Sequence, residues 1–321
     1  MTDLRYHPSA EQLDLAGTID RSLLELLPLS RLHASRDEDA ATWESLEDIG
    51  VFTMGLGEDQ GGSGLGAVEE ALLVMRLGRQ LASPGMLATM GASQVRAEEK
   101  ASGARRRVAA AYRHAGRIVM IEEPRATLVL VREAEAASLH ELPAGDAKVL
   151  DERLWLAGLR EIGSLGLGPP LARFDEAGLA RLRLIDAAAL AGMAQATLEM
   201  AVAYAGTRQQ FGRPIGSFQA VKHHCADMAM AARCARDQVS FAAVALDDGR
   251  ADARLQVECA LLMSGSAALT VAGKNIQIHG GIGFSDEADP HLFLKRAQLQ
   301  IAIAGGLEES SRRIAAIPGE A

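Results

Sequence analysis

Between Leu184 and Tyr204 the chain is apolar on nearly every side at helical spacing. A helix without a polar face has to be surrounded by other elements, so this one stretch demands a bundle around it. The sequence supplies the neighbours. Ser217 is a suitable N-cap for a helix through Asp247, where Asp247-Asp248-Gly249 stops it; a second helix is expected from about Asp252 to His279, ended by Gly280-Gly281; a third runs from Pro290 to about Ile303, before Gly305-Gly306. With the apolar helix in front, these read as a four-helix bundle.

What precedes the bundle divides in two. Up to about residue 103 the period is again helical: Leu23, Leu24, Leu27 and Leu32 form one stripe, Ala41, Leu46 and Ile49 a second that Gly50 ends, and a strong helix covers about Ala67 to Gln80. The run GLGEDQGGSGLG from Gly55 to Gly66 lacks the GK[ST] ending of a phosphate loop and follows no strand, so it reads as a connector. From Gly103 to Pro170 short apolar runs, Val108 to Tyr112, Arg117 to Ile121, Thr127 to Val131 and Leu154 to Leu159, alternate with turn residues, the pattern of a small sheet. The expected fold class is therefore mainly α: an N-terminal helical domain over 1–103, a reduced middle β-domain over 104–175 and a C-terminal helical-bundle domain over 176–321. Sparse aromatics, 2 Trp, 3 Tyr and 7 Phe, fit this better than a sandwich or barrel.

Charge excludes further classes. With 33 basic against 42 acidic residues and no basic tract, the chain lacks what a nucleic-acid or anionic-membrane surface needs. Met1 to Asp14 has no signal-peptide pattern, and the best apolar run, Leu261 to Ala272, is interrupted by Ser264-Gly265-Ser266, so no membrane span and a cytoplasmic location are expected. Cys225, Cys234 and Cys259 show no CxxC spacing and read as reduced thiols. His223, His224 and Cys225 are adjacent, and neighbouring helical residues point about 100° apart, so no metal site is expected there.

Two segments carry chemistry. Thr207 to Ile215, with Arg208, Gln210, Phe211 and Arg213, sets cations and amides beside a flat ring at the end of the buried helix, where a guanidinium can meet phosphate and a phenyl a base. Gln277 to Phe284 places Gly280, Gly281 and Gly283 within four positions; a helix C-cap accounts for one of them, not three. Taken with Phe218 to His223 and Ala226-Asp227-Met228, and more loosely with Leu46 to Val51 and Gly61 to Gly64, these segments resemble the flavin-dependent acyl-CoA dehydrogenases.

The resemblance implies FAD shared across a subunit boundary: the isoalloxazine held by the middle sheet and bundle of one chain, the pyrophosphate and adenine gripped by its neighbour. The gripping positions here are Arg208, Gln210, Phe211, Gln219, Gln277, Gly280 and Gly281, with Arg208 toward pyrophosphate and Phe211 and Gln219 toward adenine. The family's catalytic Glu, which removes the α-proton of the acyl thioester, falls on Gly305, and its alternative position falls near Leu182; Glu308, Glu309 and Asp186 lie about one helical turn away. The middle block also lacks the Thr-Glu-Pro-Gly-rich strand and the Trp-Ile-Thr strand that contact flavin, Leu154-Trp155-Leu156 being no match. The expectation is a catalytically incomplete, FAD-gripping subunit of a heterotetramer with a longer homologous acyl-CoA dehydrogenase chain. That chain would supply the base for desaturation of an acyl-CoA, possibly a steroid side-chain CoA, with electron-transferring flavoprotein as electron acceptor. The competing readings are a self-sufficient homo-oligomer with a relocated base and a non-catalytic scaffold of the same fold.

Overall fold

The computed structural model describes residues 5–34, 40–93, 95, 106–142, 147–151, 156–163 and 166–317. Helices α1 (Ala10–Thr18), α2 (Asp20–Leu26), α3 (Arg31–Ala34), α4 (Ala40–Asp48), α5 (Ala67–Arg79) and α6 (Pro84–Ala92) come first. A sheet follows, formed by β1 (Arg107–His114), β2 (Arg117–Ile121), β3 (Ala126–Arg132), β4 (Ala137–Glu141), β5 (Lys148–Asp151), β6 (Leu159–Ile162) and β7 (Ala172–Arg173). Then come α7 (Glu176–Thr207), the hairpin β8 (Gln209–Gln210) and β9 (Arg213–Pro214), α8 (Gln219–Asp247), α9 (Ala253–His279), α10 (Pro290–Ile303) and α11 (Leu307–Ala316). This is the mainly α architecture expected, with the sheet between two helical parts.

The strand order is β5-β6-β2-β1-β3-β4-β7, antiparallel except for the β1–β3 pair. The sheet has more strands than the four apolar runs indicate, because β4, β5 and β7 are short or polar and β5 is largely exposed. The strand expected over Leu154 to Leu159 starts at Leu159; residues 152–155, and with them Trp155, lie outside the described residues. One sheet face, with Val108, Ala110, Leu128, Leu130 and Leu139, packs against Ala88, Ala92, Leu182, Leu299 and Ile303 from α6, α7 and α10. The sheet is thereby laid onto the start of the bundle.

Helix α7 is buried continuously from Leu182 to Ala194, as a helix without a polar face must be, but further on Val202 and Ala203 are exposed. Against α5 its backbone comes into contact: a Cβ on Gly192 would strike the Met75 carbonyl oxygen, and one on Gly78 that of Ala189. Helix α8 begins after Phe218, not Ser217, which sits in a 3-10 turn without a capping bond. The Gly55 to Gly66 run is a connector into α5. The first amides of α5, which a phosphate would need, are taken by Asp247 at the end of α8, Ala67 N–H donating to Oδ1 at 2.7 Å and Val68 N–H to Oδ2 at 3.0 Å.

Helix α9, with the turn after it, is long and apolar enough by length and composition to cross a membrane, so the Ser264-Gly265-Ser266 interruption does not exclude a span as expected. Ser264 and Gly265 are buried, and the helix packs on α7, α8, α10 and α11. Its apolar character is that of a core helix.

Candidate functional site

The bundle's up-down course gathers the positions expected to grip FAD at one end. Helix α7 ends where α8 begins, and α9 returns to the same end, where His279 stacks on Tyr204 of α7 with centroids 4.0 Å apart. Arg208 is the C-terminal cap of α7; its N–H donates to Tyr204 O at 2.8 Å, its side chain is exposed, and its guanidinium has no acceptor among the described residues. The two-residue hairpin turn is Phe211-Gly212, both at positive φ, 51° and 75°. That conformation is strained for a phenylalanine, and it holds the ring out: Phe211 is 92% exposed. Phe218 meets Phe211 edge-on at 6.1 Å and carries the Arg213 guanidinium over its ring at 4.2 Å. Gln210, Gln219 and Gln277 are all exposed at this end. Nearby Lys222 and His223 are also exposed. Asp227 is paired with Lys274 at 2.7 Å, which holds its carboxyl below the usual range.

The three glycines separate by cause. Gly280 caps α9 with φ +66°, a conformation that requires glycine. Gly283 is buried against its own chain, a Cβ there coming within 2.8 Å of Ile276 O. Gly281 has neither cause: its φ is ordinary, a Cβ would meet nothing, and it is exposed between Gln277 and the exposed Ile282 and Phe284. No contact within the chain explains why residue 281 has no side chain.

The opposite situation holds where the sheet meets the bundle. The space among Pro84, Leu87, Ala110, Leu130, Ile185 and Ile303 is about 10 Å³, room for no more than a water. Its polar groups are engaged with one another except for Gln300 Oε1, which has no partner among the described residues. Arg132 Nη2 donates to Asp186 Oδ2 at 2.9 Å and Gln300 Nε2 to Asp186 Oδ1 at 2.7 Å, all three residues being buried. One face away Glu258, fully buried, accepts from Arg183 at 2.8 Å, Arg313 at 2.9 Å and Ser310 at 3.1 Å. Burial pushes the Asp186 carboxyl up, opposed by Arg132 and the Gln300 hydrogen bond.

The residues at the positions expected for the family base hold other roles in this structure. Gly305 has φ +96° in the α10–α11 turn, and Leu182 is packed against Gly91 and buried. Glu308 is almost wholly exposed, Glu309 pairs with Arg312 along the surface of α11, and Asp186 has a donor on each oxygen. Among the described residues no group of three His, Cys, Asp or Glu side chains could hold a metal, and the three cysteines are free.

The sequence did not indicate Arg213 over Phe218, the Tyr204–His279 stack or the two buried ionic clusters. Arg213 was within reach of inspection, since it stands five residues before a phenylalanine across a turn. The clusters were not: Arg132 and Asp186 are 54 residues apart, Asp186 and Gln300 114.

Comparison with known proteins gives this arrangement its family. The model of the acyl-CoA dehydrogenase C-terminal domain matches residues 172–317 and that of the N-terminal domain residues 9–99. The chain is 30% identical over 289 residues to the acyl-CoA dehydrogenase IpdE2 of Mycolicibacterium smegmatis, covering 87% of this chain and 88% of that one. Among solved structures, a chain of the ChsE4-ChsE5 complex from Mycobacterium tuberculosis superposes with a TM-score of 0.76 at 23% identity, covering 98% of this chain and 100% of that one. A chain of the Tcur3481-Tcur3483 steroid ACAD does so with a TM-score of 0.73 at 22% identity, covering 95% and 96%. Two family models flanking the sheet, and a relative matched over nearly its whole length, leave one assignment: the chain belongs to the acyl-CoA dehydrogenase family.

Proposed function

We propose that the chain is the FAD-gripping, catalytically incomplete subunit of a heteromeric acyl-CoA dehydrogenase, an oxidoreductase acting on CH–CH bonds. The observation that carries this is the contrast between its two candidate half-sites. The end of the bundle presents an exposed, acceptor-free Arg208, an outward Phe211 and a bare Gly281. These suit a pyrophosphate, an adenine and a close backbone approach in turn. At the junction of sheet and bundle, the space among Pro84, Leu87, Ala110, Leu130, Ile185 and Ile303 is about 10 Å³, and Asp186 beside it has both oxygens occupied. The contrast supports a cofactor gripped at the first of these and held by a partner chain in place of the second.

In this reading the longer homologous partner supplies the Glu base, the acyl-CoA pocket and the isoalloxazine site. When bound there, FAD accepts the hydride of α,β-desaturation. This chain's part is to neutralise the pyrophosphate with Arg208, flank the adenine with Phe211 and Gln219, and leave backbone accessible at Gln277, Gly280 and Gly281. ChsE4-ChsE5 is a complex and Tcur3481-Tcur3483 a steroid ACAD. Both support a two-chain enzyme, and the second supports a bulky steroid-type acyl-CoA; the heterotetramer and electron-transferring flavoprotein as acceptor follow from the family resemblance. The three free cysteines suit the reducing, cytoplasmic setting proposed for it.

The test is to express the chain alone and with the homologue encoded beside it, then measure flavin per chain and acyl-CoA oxidation. Half an equivalent of flavin per chain, found only in the co-purified complex, is expected. A full equivalent with activity in the chain alone would overturn the reading in favour of a relocated base, and no flavin in any complex would favour the scaffold.

A further inference from the structure

A cleft of about 700 Å³ opens on the side of the molecule lined by α1, α2, α5, α7 and α8, separate from both half-sites. Its volume is in the range of small-molecule sites. The apolar lining includes Leu13, Leu24, Leu72 and Met75; Leu24 is 56% exposed and Leu13 48%, so two leucines face solvent inside a concavity. The polar wall carries four arginines of two kinds. Arg79 is fully matched, both ends of its guanidinium donating to Glu199, at 3.0 and 2.7 Å, and Arg76 pairs with Asp20 and donates to Leu72 O at 3.0 Å. Arg233 and Arg236 instead share one carboxylate: Arg233 Nε reaches Asp237 Oδ2, and Arg236 Nε and Nη2 both reach Oδ1 at 3.3 Å. Both Nη atoms of Arg233 and Nη1 of Arg236 have no acceptor among the described residues. One positive charge and three donor nitrogens are thus left over beside an apolar floor.

We infer that this cleft binds an amphipathic carboxylate, an acid group on an aliphatic body, with the carboxylate at Arg233 and Arg236 and the chain over Leu24 and Leu72. A carboxylate offers two acceptor oxygens and can accept from both guanidiniums at once, as Asp237 already does, and the exposed leucines favour an alkyl body over a purely polar anion. The site is independent of the flavin reading, since none of its residues belongs to either half-site.

Titration calorimetry of the full chain with dodecanoate, below its micelle concentration, tests this. Saturable 1:1 binding is expected. Arg233→Glu and Leu24→Asp, both at exposed side chains and therefore compatible with folding, should each weaken it tenfold or more while leaving the unfolding midpoint in place. Phe211→Ala, at the exposed ring on the far end of the bundle, should leave binding unchanged, and dodecyltrimethylammonium should not bind. Absence of saturation, equal binding of the cationic surfactant, or a loss with Phe211→Ala that Leu24→Asp does not share would each overturn the assignment.

Discussion

Helix α7 runs through two regions that treat polar groups in opposite ways. Near its start, Arg183 and Asp186 are buried and hydrogen-bonded to Glu258, Ala134 O, Arg132 and Gln300. At its end Arg208 is exposed with no acceptor among the described residues, in the same segment as a phenyl ring held out by a positive-φ turn. Leaving charge unmatched in water costs little, whereas burying it requires partners, so each region is stable as it stands. What differs is where the remaining binding capacity points. The charges of the first region are met mostly by buried side chains, with Gln300 Oε1 and Arg313 Nη2 left over, whereas the second region faces solvent; in the proposed function these are a closed and an open half-site.

The largest way to break that comparison is at the closed region. Arg132→Met leaves the Asp186 carboxylate buried with only Gln300, and a buried pair broken on one side costs about 3–5 kcal/mol. The loss should appear in urea unfolding of the chain alone. Replacing both partners, Arg132→Met with Asp186→Leu, should recover most of it, because the desolvated charge is gone. If the single variant were neutral, the cluster would be wetter than its burial implies and the closure argument would weaken.

At the open region the prediction reverses its readout. Arg208→Ala should shift the stability of the isolated chain by no more than about 0.5 kcal/mol, as exposed substitutions do. Flavin retention by the complex should weaken about ten- to a hundred-fold, the worth of a charge-assisted hydrogen bond of about 1.5–3 kcal/mol. Fluorescence of released flavin against dilution measures it.

One turn contains both behaviours. Gly283→Ala forces a methyl toward Ile276 O and should cost about 1–3 kcal/mol of chain stability. Gly281→Ala has free space and an ordinary φ, so the chain should tolerate it within about 0.5 kcal/mol. Flavin retention should nonetheless fall with Gly281→Ala, and equal retention would mean that residue 281 lacks a side chain for no reason connected with the cofactor.

How much of this was legible follows from distance along the chain. The ends of α9 and α10 were readable because Asp252, Gly280-Gly281, Pro290 and Gly305-Gly306 act on their immediate neighbours. Ser217 misled by one residue since a good capping side chain is only an opportunity, and the chain takes a 3-10 turn there instead. The proposed open half-site could be picked out because its residues fall in short local segments at helix ends. The proposed closed one gave only missing motifs: the buried groups there come from β3, α7 and α10, and no local pattern reports a partner 114 residues away. Val202 and Ala203 show a further limit, since apolar periodicity marks a helix face without saying whether this chain or another covers it.

The smallest effect lies on the rim between buried and exposed. Arg79 and Glu199 join α5 to α7 by two hydrogen bonds, but the Glu199 side chain is 49% exposed, so solvent screens the pair and its worth is about 0.5 kcal/mol. The Arg79 hydrogen bond, and then that from Gln195, hold the Glu199 carboxyl below its usual 4.5. A folded-state value below the unfolded one means the stabilisation is fully present above the unfolded value and is lost as pH falls through the folded one. Glu199→Gln should therefore lower stability slightly at neutral pH and flatten the acid limb of the stability curve below about pH 4.5. Raising salt should shrink the wild-type advantage at this rim pair while leaving the cost of Arg132→Met unchanged, since screening reaches exposed charges and not buried ones. Equal salt dependence at the two sites would show that Asp186 is not sealed from solvent, and the difference between the closed and open regions of α7 would then be one of degree.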